Sequence, residues 1–439
     1  MIETELLVIG AGPAGLAAAT EAARLGVETI LVDEHRGTGG MLGILGQVRV
    51  PGELGPAAAS EVRRAMHAEA ERSGATIIDQ SLVWGIFEDL LAGVLTPAEN
   101  LEIKPQAMIV AAGAVDRPMP FPGWTLPYVL NAQEALRLVY EQDALPGRTA
   151  VVASSGGTGV AVALALNAAG LRVTTLVEST TLGAEEKAAL EAAGIGSYEG
   201  AVIAEALGTD YVRTVIVRGA GRDQAVDGNT LVLATGRAPL IELFAVTGCA
   251  LRWDESAGGH VPERSAHLET SVSGLYAIGA SAGLCGLRVA TAEGRLAAAA
   301  VASRLGREGG ADLEAAAGAL ASARAADTAS VARETSALWQ LEADTVRAAL
   351  ADPEMLLCRC EKVTVGRIRE AIAGGAETPG EVKRATRMGM GECQGKTCRP
   401  LLSRAVAEIT GGRLRAIPPL TFRPPVRPVP LEALLRGGE

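Results

Sequence analysis

A chain of 439 residues is too long for one compact core and suits roughly two to four domains. Apolar residues make up 48% of it and aromatic residues only 3%, which fits closely packed βαβ units and argues against the aromatic surfaces that stack nucleic-acid bases. The net charge of −11 is uneven, because residues 355–439 hold 15 Lys and Arg against 8 Asp and Glu, a basic end of +7 after a body of −18.

The chain opens on a strand pattern without the basic, apolar and small-residue blocks of a signal peptide. No apolar run reaches the roughly 18–20 residues of a membrane span, so a cytoplasmic protein is expected. Six cysteines in such a chain point to metal or redox use rather than to a disulfide framework.

Residues 5–9 form an apolar run. They are followed by Gly10-Ala-Gly12-Pro13-Ala14-Gly15, a small-residue helix to Leu25, and a second apolar run closed by Asp33 and Glu34. Strand, glycine turn, helix, strand and acid make a dinucleotide-binding βαβ unit. Gly10 permits the tight turn, Gly12 lets backbone approach a pyrophosphate, and Gly15 brings the helix close to the strand. Free N–H groups then face the phosphates, and Asp33 holds a ribose hydroxyl. Gly39-Gly40 follows as a second glycine pair.

Residues 56–73 read as a helix with one charged face, and short strands at 76–78 and 82–84 come next. Residues 107–113 form an apolar strand ending in Ala112-Gly113, small enough to pass beside a bound dinucleotide. The prolines of 117–124 mark a domain exit. A second unit starts at Arg148, with Ser154-Ser-Gly156-Gly-Thr-Gly159, a helix, and a strand ending at Glu178. Ser154 stands at the first glycine position, which leaves two readings open: a second adenine-nucleotide site (ATP or NAD(P)) or a retained scaffold. Three extended segments between 200 and 233 read as a meander. Residues 231–239 then repeat the earlier small-ended strand and mark the return to the first domain, completed by 275–280 and a helix over 287–305.

An alanine-rich linker without strand pattern leads to Cys358-Arg-Cys360, 32 residues, and Cys393-Gln-Gly-Lys-Thr-Cys398. Four thiolates in two close pairs can hold a [2Fe–2S] cluster or zinc. Arg359, Lys362, Lys383, Arg384, Arg387, Lys396 and Arg399 lie near in sequence and would balance the anionic centre. The tight Cys-x-Cys pair beside a nucleotide-binding body favours iron–sulfur. Cys249 and Cys285 read as packing residues, and the four histidines form no metal-spaced pair. The proline-rich end from Pro418 to Pro430 reads as extended chain that docks on a partner or on its own body.

These motifs, with residues 116–127, 275–279, 387–398 and 423–430, resemble the large FAD/NAD(P)-type subunit shared by hydrogen cyanide synthase (its B subunit), the octopine and nopaline oxidases (their A subunits) and the dye-linked proline and hydroxyproline dehydrogenases. The cysteine segment resembles the bacterioferritin-associated-ferredoxin-like (BFD-like) [2Fe–2S] module. The resemblance implies an α/β two-dinucleotide-binding-domain flavoprotein with the second Rossmann-like domain inserted in the first. Residues 1–115 and 230–305 would bind FAD, 116–229 would form the insert, 306–354 a helical linker, 355–412 the cluster module and 413–439 the tail. FAD would lie across Gly10, Gly12, Pro13, Ala14, Gly15, Asp33, Glu34, Gly39, Gly40, Met41, Val83, Ala112, Gly113, Gly279 and Ala280. A second nucleotide would use Ser154, Gly156, Gly159 and Glu178, and the metal centre Cys358, Cys360, Cys393 and Cys398. No catalytic residue is implied on this chain.

Ala280 replaces the acid such flavoproteins place after the glycine, and Ala112 replaces a threonine. The implied function is an electron-transfer subunit of a multi-subunit amine or amino-acid dehydrogenase. Its partners would be an amine-oxidising flavoprotein subunit and also a small ferredoxin-like subunit, with a quinone, dye or carrier as acceptor, the complex lying in the cytoplasm or peripherally at the inner membrane. A stand-alone NAD(P)H-dependent reductase and a cluster-carrying scaffold are the competing expectations.

Overall fold

The computed structural model describes residues 1–41, 56–307 and 312–435, so residues 308–311 of the expected linker and 436–439 of the tail lie outside the described residues. The first body is built on a seven-stranded sheet. Its order is Thr76–Ile78, β2 (Thr29–Val32), β1 (Ile2–Ile9), Asn100–Val110, Ala92–Leu95 and Leu82–Ile86, with Leu275–Ala277 also paired to Asn100–Val110. Ile9 is in register with both Val32 and Val110 in parallel pairing, so Gly10, Asp33 and Ala111 leave the sheet together at its carboxyl edge. That edge is where doubly wound sheets bind ligands.

Helix α1 (Pro13–Arg24) begins there because Pro13 fits the first helical turn, and it ends before Gly26 at φ +76°. Its small residues Ala14, Gly15, Ala17 and Ala18 are buried against the helix Leu287–Arg304. A Cβ on Gly294 would overlap the Ala14 carbonyl oxygen, so the two helices touch backbone to backbone.

The second body has a five-stranded parallel sheet in the order Gly196–Glu199, Arg172–Glu178, Thr149–Ser154, Thr230–Ala234, Val129–Asn131, with a three-stranded antiparallel meander over 201–227. Thr230–Ala234 corrects the sequence-based boundary. It pairs residue for residue with Ala150–Ser154 and belongs to the insert, so the return to the first body starts after it. The reason is its strand register, since all five of its residues are buried inside the second sheet. The crossover itself is a two-stranded ribbon in which the exit strand Ala114–Asp116 pairs with the re-entry strand Arg237–Pro239.

The linker is one helix, Leu313–Leu350, of 38 residues and about 57 Å. Asp312 caps it by accepting the Ala315 N–H at 2.8 Å. Leu320 packs in the first body, while Leu341 and Val346 pack in a core shared by the meander and the C-terminal module. Along the way its buried acids are matched. Glu334 takes two hydrogen bonds from Arg237 at 2.9 and 2.8 Å, and Glu342 lies between Arg117 and Arg404. Removing one partner of such a buried pair leaves an uncompensated charge, at about 3–5 kcal/mol.

The C-terminal module holds a short ribbon (Leu356–Cys358 with Val363–Thr364) and the helices Val365–Ala373, Pro379–Thr386 and Arg399–Thr410. Trp124 of the insert anchors it by donating its indole N–H to the Leu356 carbonyl at 2.8 Å. The tail returns to the first body, where the Val426 N–H bonds the Trp84 carbonyl at 2.8 Å and Arg427 pairs with Glu34 at 2.8 Å. Of the two docking choices left open for it, this is its own body. No helix among the described residues is long and apolar enough to cross a membrane.

Candidate nucleotide cradles and cysteine centre

At the first glycine turn each glycine has a distinct surrounding. A Cβ on Gly10, whose φ is +100°, would overlap the Ala111 carbonyl oxygen, and one on Gly15 would overlap the Gly10 carbonyl oxygen. Both positions are closed by backbone. Among the described residues a Cβ on Gly12 would meet nothing within 4 Å, and the same is true of Gly113. The turn therefore encloses an open cradle bordered by the helix N-terminus at Gly12-Pro13-Ala14, where unpaired N–H groups favour an anion. Asp33 fixes the turn by accepting the N–H groups of Ala11 at 2.6 Å and His35 at 2.8 Å. Gly39 donates its N–H to the Ala11 carbonyl at 2.7 Å, and Gly40 lies so close that its Cβ would come 3.2 Å from the Gly12 Cα.

The other proposed cofactor residues divide. Ala112 lies beside Gly10 and Gly279 beside Ala14, as a shared cradle needs. Glu34 is held by Arg427, Met41 packs on the core of the second body, and the Val83 side chain is buried in the first core. Ala280 offers no acceptor. Instead the buried Glu293 accepts the Gly279 N–H at 2.8 Å and pairs with Arg264 and Arg324 at 2.9 Å each. Glu293 was not singled out from sequence. The signal that could have found it is an acid on the buried stripe of Leu287–Arg304, beside Ala290 and Ala297.

The second glycine turn has the same strands but no cradle. Glu178, fully buried, accepts the Ser154 hydroxyl at 2.5 Å, the Gly156 N–H at 2.9 Å and the Gly157 N–H at 3.1 Å. Ser154 in turn accepts the Gly159 N–H at 2.9 Å. The donors that would face a pyrophosphate are thus taken by the chain's own carboxylate. Over them runs the long helix: a Cβ on Gly156 would lie 2.9 Å from the Arg333 carbonyl oxygen and 3.1 Å from the Glu334 Cα. Arg333 also pairs with Glu186 at 2.9 Å, and Leu338 fills the space at Gly236. Of the two sequence readings, the geometry favours the scaffold. Ser154 does not break the turn; it takes part in closing it.

The four paired cysteines come together although 32 residues separate the pairs. Cys398, buried, lies in hydrogen-bond contact with Cys358 and Cys393, and Cys393 with the exposed Cys360. The Cys398 S–H, and then main-chain N–H groups, favour thiolates at Cys358 and Cys393, while the same contacts and burial push Cys398 upward. Cys398 links the two pairs, as a centre held by four thiolates needs. A Cβ on Gly391 would overlap that of Cys360, so only glycine lets the two loops close.

The surrounding cations are less available than their spacing implies. Arg359 stacks 4.5 Å over Trp124 and donates to its carbonyl, Arg387 pairs with Glu361, and Arg399 pairs with Glu242. Lys383 and the buried Lys396 remain close to Cys398 and Cys393, and burial pulls Lys396 down to about 8.

The pyridine nucleotide-disulphide oxidoreductase family model matches residues 4–306, and that of the BFD-like [2Fe–2S] binding domain matches residues 356–408. The chain belongs to the pyridine nucleotide-disulphide oxidoreductase family. This oxidoreductase is 29% identical to the opine oxidase A subunit of Rhizobium meliloti (strain 1021), over 97% of both chains. It is 31% identical to hydrogen cyanide synthase subunit HcnB of Pseudomonas aeruginosa, over 98% of both. The solved structure of L-proline dehydrogenase from P. horikoshii matches it with a TM-score of 0.77 at 20% identity, covering 99% of this chain and 79% of that one. The T. acidophilum thioredoxin reductase matches with a TM-score of 0.56 over 70% of this chain and 99% of its own, at 18% identity. These likenesses show the fold. The family implies FAD and the C-terminal domain a [2Fe–2S] cluster.

The open first cradle fits a dinucleotide and the paired thiols fit the cluster, whereas the second turn fits neither NAD(P) nor ATP as it stands. Two substitutions separate ligand from scaffold. Gly12→Val is expected to keep the fold and to lower flavin retention at least about tenfold, since its side chain enters the cradle. Gly15→Ala, forced onto the Gly10 carbonyl, is expected to cost about 2–4 kcal/mol of stability. Flavin-to-protein ratio and thermal unfolding measure the two effects, and a Gly12→Val protein with full flavin would place the cofactor elsewhere.

Proposed function

We propose that this chain is the FAD- and [2Fe–2S]-carrying electron-transfer subunit of a multi-subunit dehydrogenase acting on amines or amino acids, with the C–N bond oxidised in a partner flavoprotein. The observation that carries this reading is the contrast between the two glycine turns. Among the described residues the first is open at Gly12, while the second has its donors bound to Glu178 and its space filled by Arg333 and Glu334. A reductase of its own needs a place for NAD(P)H, and the structure supports none at the second turn. Flavin and cluster together supply one- and two-electron chemistry. Gly10–Gly15, Asp33 and Gly40 would hold the first, and Cys358, Cys360, Cys393 and Cys398 the second.

The substrate class comes from the relatives, named as opine oxidase and hydrogen cyanide synthase subunits, and from the fold shared with an L-proline dehydrogenase. Among the described residues both glycine turns and the cysteine module are accounted for, and no further domain remains to orient a C–N bond against a flavin. The purified chain alone, given proline, hydroxyproline, glycine, sarcosine or an opine with an artificial acceptor, is expected to show no turnover. Turnover and cluster reduction should appear once the partner flavoprotein is added. Substrate-dependent turnover by the isolated chain, comparable to that of the complex, would overturn the proposal.

A further inference from the structure

A groove of about 370 Å³ runs between residues 125–130 of the insert and the loop that carries Cys358 and Cys360. Val129–Asn131, on its wall, is the outer strand of the second sheet, paired only with Thr230–Ala234. Leu126 and Tyr128 line one side, and Leu356, Arg359 and Lys362 the other. The exposed Cys360 follows Arg359 directly, so the groove opens beside the solvent-facing ligand of the cysteine centre.

Two turn residues border the groove, Tyr128 in the turn closed by the Val129 N–H on the Leu126 carbonyl at 3.1 Å and Lys362 at the end of the loop between the paired strands Leu356–Cys358 and Val363–Thr364. Tyr128 has φ +66° and Lys362 φ +50°, left-handed values that side chains with a Cβ seldom adopt. Tyr128 is nevertheless 45% exposed, with its ring edge-on to Tyr211 at 5.9 Å, and Arg213 stacks on Tyr211 at 4.5 Å. The turn thus fixes an aromatic ring at the surface beside the groove, with its main chain held by the Leu231 N–H on the Tyr128 carbonyl at 2.9 Å.

The charge at this seam is positive. Lys362 and Arg213 have no ion pair among the described residues, and the buried Nε of Arg359 has no partner. Acids facing them are few: Glu134 acts on Arg359 from a distance, Asp210 precedes Tyr211, and Glu361 is already paired with Arg387.

We propose that this groove is the docking port for the protein that exchanges electrons with the cluster, and that this protein presents an acidic face around an apolar or aromatic tip. Tyr128, Leu126 and Leu356 would receive the tip, while Lys362 and Arg213 would steer the carboxylates. The port rests on the proposed electron-transfer function, since the exchange is one electron between the cluster and the partner's own redox centre.

The test uses two defined one-electron proteins, the acidic plastocyanin and the basic cytochrome c, each mixed with the dithionite-reduced, desalted holoprotein at low ionic strength. Cluster oxidation by plastocyanin is expected to be at least tenfold faster than at high salt. Lys362→Glu with Arg213→Glu should lower that rate about tenfold and raise the rate with cytochrome c. Tyr128→Gly, which relieves the left-handed strain, should slow plastocyanin at every salt concentration but leave oxidation by ferricyanide unchanged. Carbodiimide coupling of plastocyanin to the chain, mapped by mass spectrometry, should fall on Lys362 and gives a readout independent of the cluster. Rates insensitive to these substitutions, cross-links elsewhere, or a Tyr128→Gly protein that loses only self-association would overturn the port. Iron and sulfide analysis before mixing distinguishes that outcome from failure of the cluster assignment.

Discussion

Cys398→Ser is expected to yield a folded chain with close to no bound iron, against about two irons and two acid-labile sulfides per wild-type chain. Cys398 is chosen because it touches both Cys358 and Cys393, so its loss removes the link between the two pairs. It is also buried at the start of the helix Arg399–Thr410, and serine is nearly its isostere, so the helix should survive. Circular dichroism should be unchanged while the electron-paramagnetic signal of the reduced cluster disappears. Electron delivery from the partner flavoprotein to an acceptor should then fall below detection. Zinc at one per chain in anaerobically prepared wild-type protein, with neither iron nor sulfide, would refute the cluster itself.

NADH and NADPH are expected to leave the flavin absorbance unbleached under anaerobic conditions in which dithionite bleaches it fully. At the second turn two main-chain donors that would face a pyrophosphate, the Gly156 and Gly157 N–H groups, are held by Glu178. Hydrogen bonds to a charged group contribute about 1.5–3 kcal/mol each, so their loss lowers affinity at least about a hundredfold. Arg333→Ala should not restore binding, because what lies against Gly156 is the Arg333 carbonyl oxygen and the Glu334 backbone rather than the guanidinium. Saturable bleaching at sub-millimolar NADPH would mean that the helix leaves the turn in solution.

The fold was legible where one short stretch carries a whole physical requirement. Gly10, Gly12 and Gly15 each meet the surrounding their spacing implies, and Cys358, Cys360, Cys393 and Cys398 meet across the intervening helices. What stayed hidden depends on long-range contact. Nothing near residue 156 announces that residue 333 will cover it, and an alanine-rich helix reads alike whether it spaces two domains or seals a turn. The cations near the cysteines show the same limit from the other side. Their proximity in sequence was real, but Arg359, Arg387 and Arg399 are spent on Trp124, Glu361 and Glu242. The boundary at 230 was missed because Thr230–Ala234 and Asn100–Val110 are both apolar strands that end in small residues, and only strand pairing tells which sheet each enters.

The return of the tail to the first body has a consequence for how the chain is made. Glu34, at the end of the opening nucleotide unit, finds Arg427 only 393 residues later, and Trp84 receives the Val426 N–H from the same segment. Lys396, in the second cysteine loop, donates to the Val426 carbonyl at 3.0 Å. Because Glu34 is synthesised long before residues 426 and 427, the nucleotide unit forms without this clasp, which afterwards ties it to the cysteine module.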